Sequence, residues 1–151
     1  MEETRAYVPA SEIADEVYRL VASWPTLAQQ TFGRQLVNSA DSIGANRVEG
    51  DARRSDAEST RFFLYSRSSA RETRHWIVRA RVRAVLSNRD AEELSNRVTD
   101  CGKMISGIID FRREAIANQR VREDRASYGV RDDDDYLVSS LPKRPNDRVT
   151  E

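Results

Sequence analysis

The chain has 151 residues, 38% apolar and 33% charged, which suits one slender helical domain with much solvated surface better than a thick α/β globule. Formal net charge is zero, yet residues 1–122 carry 20 basic and 17 acidic side chains while residues 123–151 carry 5 and 8, so the total does not exclude a polyanionic partner. Cys101 is the single cysteine, which excludes an intrachain disulfide, and no run approaches the roughly 18–20 apolar residues of a membrane span.

The N-terminus, MEETRAYVP, is acidic and has no apolar signal core, so export is not expected and a reducing cytoplasm fits the lone thiol. Pro9 suits a helix start and Ser11 a cap; Ile13, Val17, Leu20, Val21 and Trp24 then recur at helical spacing, predicting a first helix over 10–24. The Trp24-Pro25 step ends it, because the residue before proline avoids the α region. A connector follows over 25–31.

The second helix is predicted over 32–49, with Leu36, Val37, Ala40, Ile43 and Val48 on its apolar face and Gly50 as its C-terminal glycine. Gly44 and Ala45 would admit a close neighbour. A basic turn, Asp51-Ala-Arg53-Arg54, leads to Ser55-x-x-Glu58, a capping box that opens the third helix. Residues 55–87 contain no proline or glycine.

At about 100° per residue, Phe62, Ser66, Ala70, Thr73, Ile77, Ala80 and Ala84 share the small or apolar face of that helix. Arg67, Arg71, Arg74 and Arg81 form one stripe beside it. Residues 61–89 hold eight arginines against one acid, Glu72.

Asp90-x-x-Glu93 reads as a second capping box. Leu94, Val98, Cys101, Ile105, Ile108 and Ala115 step by threes and fours, with Met104 and Phe111 alongside, so a fourth helix is expected to about residue 122. Residues 123–151 lose periodicity and gain Gly129, the run Asp132–Asp135, Pro142 and Pro145; they read as an acidic flexible tail. The expectation is an all-α, antiparallel up-down four-helix bundle over 1–122 with a C-terminal tail over 123–151.

Ser39-Ala40, Ser42-Ile43, Ala45-Asn46, Glu49-Gly50, Arg53-Arg54-Ser55 and the segment from Arg61-Phe62 to Arg71-Glu72 resemble the four-helix-bundle protein family. Its members include proteins encoded in 23S rRNA intervening sequences, and the accessory variability determinant of diversity-generating retroelements is a relative. The resemblance covers about residues 10–118. It implies a homopentameric ring and, for the retroelement relatives, a basic surface that takes nucleic acid and a reverse transcriptase. Three positions depart from the family pattern: Gly44 stands where proline is usual, and Arg47 and Asp41 where apolar residues are. These departures bear on the bend of the second helix and on a subunit contact.

Catalytic chemistry is poorly provided for. The one histidine, His75, lies in an arginine-rich helix, Cys101 falls on the core seam, and there is no glycine-rich phosphate loop, so no catalytic residue and no cofactor are expected. Glu72-x-x-His75 has the spacing of two metal ligands on one helix face, but a di-metal site would need a symmetric second chain, with Glu49 or Glu58 as a further ligand. Trp76, Phe62, Phe63 and Tyr65 read as core or interface residues before base-stacking platforms.

The arginine stripe admits three readings: phosphate contacts, glue between subunits, or a solvated face. The acid-poor run over 73–89 favours the first two. The leading expectation is a non-enzymatic, oligomeric accessory protein that binds RNA or DNA, or a nucleoprotein partner such as a reverse transcriptase, through Arg67, Arg71, Arg74 and Arg81, with Arg53 and Arg54 extending the patch. The alternative is an adaptor that docks a protein through Tyr136-Leu-Val138 and Leu141, a segment that resembles the targeting peptides of encapsulin cargo.

Overall fold

A computed structural model describes the backbone over residues 7–128 and the side chains from residue 10. Within that range the chain is helical and contains no strand. Helix α1 spans Tyr7–Ala22, α2 Thr26–Ala28, α3 Arg34–Asp51, α4 Asp56–Val82 and α5 Asn88–Ser127; a π-turn over Gln29–Gly33 joins α2 to α3. The chain thus makes four helical rods, the second built from α2, the π-turn and α3. It divides into a unit of residues 1–115, which holds the bundle, and a unit of residues 116–151, whose described part is the end of α5. The predicted 136–141 docking segment lies outside the described residues.

The predicted connector is the first difference. Only Ser23, Trp24 and Pro25 separate α1 from the next rod, which is already helical at Thr26. The Gln29 amide donates to the carbonyls of Ala22 (3.0 Å) and Trp24 (2.7 Å), so a side chain completes the end of α1. Trp24 packs on Phe32 with ring centroids 5.5 Å apart. A Cβ on Gly33 would lie 2.8 Å from both the Ala28 carbonyl oxygen and Val21, which explains a glycine where α1 crosses the π-turn. Pro9 falls in the first turns of α1 and Ser11 within it, rather than at its cap.

The buried face of α1 is Ala10, Ile13, Ala14, Val17 and Val21. That of α3 is Leu36, Ser39, Ala40, Ile43, Gly44, Arg47 and Gly50. Val48, expected inside, is 51% exposed, and its neighbour Arg47 is buried instead. Gly50 is not a helix-ending glycine, since α3 continues to Asp51; a Cβ there would come within 2.9 Å of the Phe63 ring.

Helices α3 and α4 run antiparallel, joined by three buried hydroxyls. Ser59 donates to the Gly50 carbonyl (2.7 Å), Ser66 to the Ile43 carbonyl (2.7 Å), and Thr73 to Ser39 Oγ (3.1 Å). The step of seven between Ser59, Ser66 and Thr73 keeps all three on one face.

Ser55 caps α4 as expected, its Oγ accepting from the Glu58 amide at 3.2 Å. Phe63, not Phe62, enters the core. The helix stops at Val82, short of residue 87, because the chain turns through Ala84 at φ 58°. The amides of Ala84 and Val85 bond back to Arg81 and Ala80, a Schellman closure with alanine in the glycine position. Ala84 is exposed, not part of the seam.

Helix α5 is capped by Ser87, whose Oγ accepts from the Asp90 amide at 3.0 Å, so the predicted Asp90 cap lies one turn too late. Its buried line is Ala91, Leu94, Val98, Cys101, Ile105 and Ile109. Phe111 is 72% exposed, since the line turns to Ile109 rather than following Ile108. Among the described residues no helix is long and apolar enough to cross a membrane.

Candidate nucleic-acid interface

Arg67, Arg71 and Arg74 stand at i, i+4 and i+7 on α4, one above another on a single flank. They line one wall of a cleft of about 520 Å³. The facing wall is α5, which contributes Thr99, Gly102, Lys103, Ser106, Gly107 and Asp110. Ala70 and Val98 form the apolar floor. Gly102 is in contact range of Ala70 only at its periphery, since a Cβ there would sit 3.9 Å away, and a Cβ on Gly107 would meet nothing within 4 Å. The two glycines therefore leave room on the α5 wall, and Arg71 and Arg74 are exposed while Arg67 is half-buried.

Among the described residues no carboxylate is ion-paired to Arg67, Arg71 or Arg74. Lys103 adds a fourth cation, bridged at 3.1 Å to the exposed Asp100, a pair whose strength is small in water. Asp110 is the one acid in the lining. Three guanidinium groups and an ammonium thus stand along one polar-rimmed cleft, over about 10 Å from Arg67 to Arg74 at the helical rise.

The other predicted residues lie elsewhere. Arg81 is exposed in the last turn of α4, where a cation also complements the helix dipole. Arg53 is ion-paired to Glu49, and its guanidinium lies 4.6 Å over the Phe62 ring, while Arg54 is exposed in the α3–α4 turn. The structure thus brings three of the six together and keeps the turn arginines apart from them. The apolar seam of the fourth helix gives no sign of Lys103, which lies off it in the cleft wall.

Glu72 and His75 do not meet a metal-binding set. Glu72 accepts the Trp76 indole N–H at 3.4 Å, and His75 stands edge-on to the Trp76 ring at 4.9 Å. No group of three or more metal-capable side chains occurs among the described residues. Cys101 is fully buried, and burial pushes its thiol up to about 11.

At the α3–α4 end, Phe63 is flanked by two guanidinium groups, Arg47 at 4.7 Å and Arg112 at 5.2 Å from the ring centre. Arg47 is ion-paired to Asp51, and Arg112 reaches Asp56 at 2.7 Å. This cluster ties the turn, α4 and α5 together, and no local pattern reveals it.

Comparison with known proteins bears on the bundle. The family described as "23S rRNA-intervening sequence protein" matches residues 2–107. A crystal structure of a protein of unknown function from the S23 ribosomal protein family of Bacteroides thetaiotaomicron VPI-5482 shares the fold, with TM-score 0.66 and 22% identity, covering 73% of this chain and 99% of that one. No curated protein matches.

Proposed function

Because this chain belongs to the 23S rRNA-intervening sequence protein family, we propose that it is a non-enzymatic accessory protein that binds nucleic acid, with RNA the first polyanion to test, in the cleft between α4 and α5. The observation that carries the reading is the convergence of Arg67, Arg71, Arg74 and Lys103 on one open cleft with a single acid, Asp110. A merely solvated helix face mixes signs, and an intramolecular brace would show its carboxylates.

The mechanism is electrostatic. Each guanidinium that meets a phosphate releases condensed counterions, so affinity falls steeply with salt. Planar guanidinium groups also grip phosphate oxygens in pairs, which fixes the strand along the α4 axis. Arg81 extends the track by two turns. In a homo-oligomer the cleft would recur on every copy, and a nucleoprotein partner would be held through its nucleic acid.

The test is fluorescence anisotropy with labelled RNA and DNA across a salt series. The wild-type chain should bind at low salt. Arg67→Glu/Arg71→Glu/Arg74→Glu should abolish binding while circular dichroism still reports the bundle, and single neutral changes should each lower the slope of log affinity against log salt by about 1. Undiminished binding by the triple variant, or none by the wild type at low salt, sinks the reading.

A further inference from the structure

A second groove lies on the other flank of α4, over the π-turn. Its volume is about 920 Å³, within the range of small-molecule sites. The lining combines three kinds of group. Trp76, Phe32 and Val85 are apolar; Gln30, Gln35 and Asn38 carry amides; Arg34 and Arg83 carry charge, and no carboxylate lines the groove.

Each kind is placed for use. Trp76 is partly buried, its indole steadied by Glu72 at the N–H and by the His75 ring at its edge. The Arg83 guanidinium carbon lies 4.4 Å over the Phe32 ring, and Arg83 is exposed. The three amides are exposed and bond to no protein group among the described residues. Two of the elements are local exceptions to regular helix: the π-turn delivers Gln30 and Phe32, and the left-handed turn at Ala84 delivers Arg83 and Val85. A π-insertion costs regular hydrogen bonding and recurs at functional sites.

We propose that this groove binds a nucleoside monophosphate unit, free or extruded from a strand. The base would stack on Trp76, the amides of Gln35 and Asn38 would read its edge, and Arg34 and Arg83 would take the phosphate. The chemistry needed is a flat heterocycle joined to an anion, which a carboxylate-free groove with an aromatic wall selects over phosphate alone.

Tryptophan emission of the full chain, titrated with AMP, GMP, CMP, UMP and inorganic phosphate, tests this. Trp24 packs on Phe32 beneath the groove, so the titration is repeated in Trp24→Phe, where the remaining emission reports Trp76. Saturable quenching by at least one nucleotide is expected, with calorimetry showing about tenfold weaker binding in Trp76→Leu. Arg34→Gln and Gln35→Ala, both at exposed positions, should weaken it severalfold with the fold unchanged. A short single-stranded RNA run in parallel separates the sources: a free nucleotide saturates the site alone, whereas an extruded base requires the strand. The Arg67/Arg71/Arg74→Glu variant must keep the response, which separates this site from the α4–α5 cleft. No saturable response to nucleotide or strand, equal competition by inorganic phosphate, unchanged affinity in Trp76→Leu, or loss in the triple variant overturns the inference.

Discussion

Arg47 shows how much one buried side chain can organise. It stands where the family pattern has an apolar residue, is only 1% exposed, and stacks on Phe63 while pairing with Asp51. Its long stem fills apolar space and its head needs the ring and the carboxylate. Arg47→Ala should therefore cost about 2–4 kcal/mol, the range for emptying a large buried site, whereas Arg47→Leu should stay within about 1 kcal/mol. Asp51, one-third exposed, can then be hydrated. Urea denaturation of the two variants checks the contrast; equal losses would mean that the charge, not the volume, is what counts. Cys101 gives a pH prediction. Burial raises its folded pKa to about 11, so the folded state holds the neutral thiol where the unfolded chain has begun to ionise. Stability should be unaffected by this group below about pH 8.5 and fall as pH rises from there toward 11, and the thiol should resist alkylation until the chain unfolds. A Cys101→Ala variant with the same alkaline decline would assign that decline to other groups.

At the scale of the element, the α3–α4 hairpin depends on what its residues lack. Small hydroxyl residues at Ser59, Ser66 and Thr73 and the bare backbone of Gly50 let the helices approach; Ser59 and Ser66 spend their donors on the facing helix, while Thr73 shares its one between Ser39 and the Ser69 carbonyl of its own helix. Gly50→Ala should cost about 1–3 kcal/mol, because the Phe63 ring that the new methyl meets is held between two guanidinium groups. The thermal midpoint measures this, and a neutral result would mean the ring moves freely. Ala84→Gly should have the opposite sign. A left-handed alanine is disfavoured by about 1 kcal/mol, and the Schellman bonds do not need its methyl, so this variant should be more stable by about that amount. Caps were partly legible in the sequence: Ser55-x-x-Glu58 names α4's start correctly, while the Asp90-x-x-Glu93 pattern points one turn past the actual α5 cap, Ser87. The π-turn was not legible, since Gln29–Gly33 has neither proline nor a distinctive period, and its cost is recovered through Gln29 closing α1 and Trp24 meeting Phe32.

On the scale of the whole molecule, the neutral total hides two differently built flanks of α4. One flank meets α5 in a cleft of arginines, and the other meets the π-turn in a groove of aromatic, amide and arginine groups. The triple glutamate variant also has a reading here: if it dissociates an oligomer on light scattering while binding at low salt was never present, the arginines join subunits. The arginine stripe itself was readable from the helical period, because Arg67, Arg71 and Arg74 depend only on 3.6 residues per turn. The groove at Trp76 was not, because its walls come from residues some fifty positions apart, and a lone tryptophan at helical spacing reads as core.

What the sequence determined by itself is the class of structure: apolar period, helix caps, the absence of alternation, and the motif running from Ser39 to Glu72 that carries the family resemblance. Those signals are local, set by backbone geometry within a few turns. Tertiary structure alone decided which side chains at the margins of each face go inside. It chose Phe63 over Phe62, Arg47 over Val48 and Ile109 over the Phe111 line. At those positions two neighbouring residues are nearly equal by period, and the choice falls to the fit of the helix across from them.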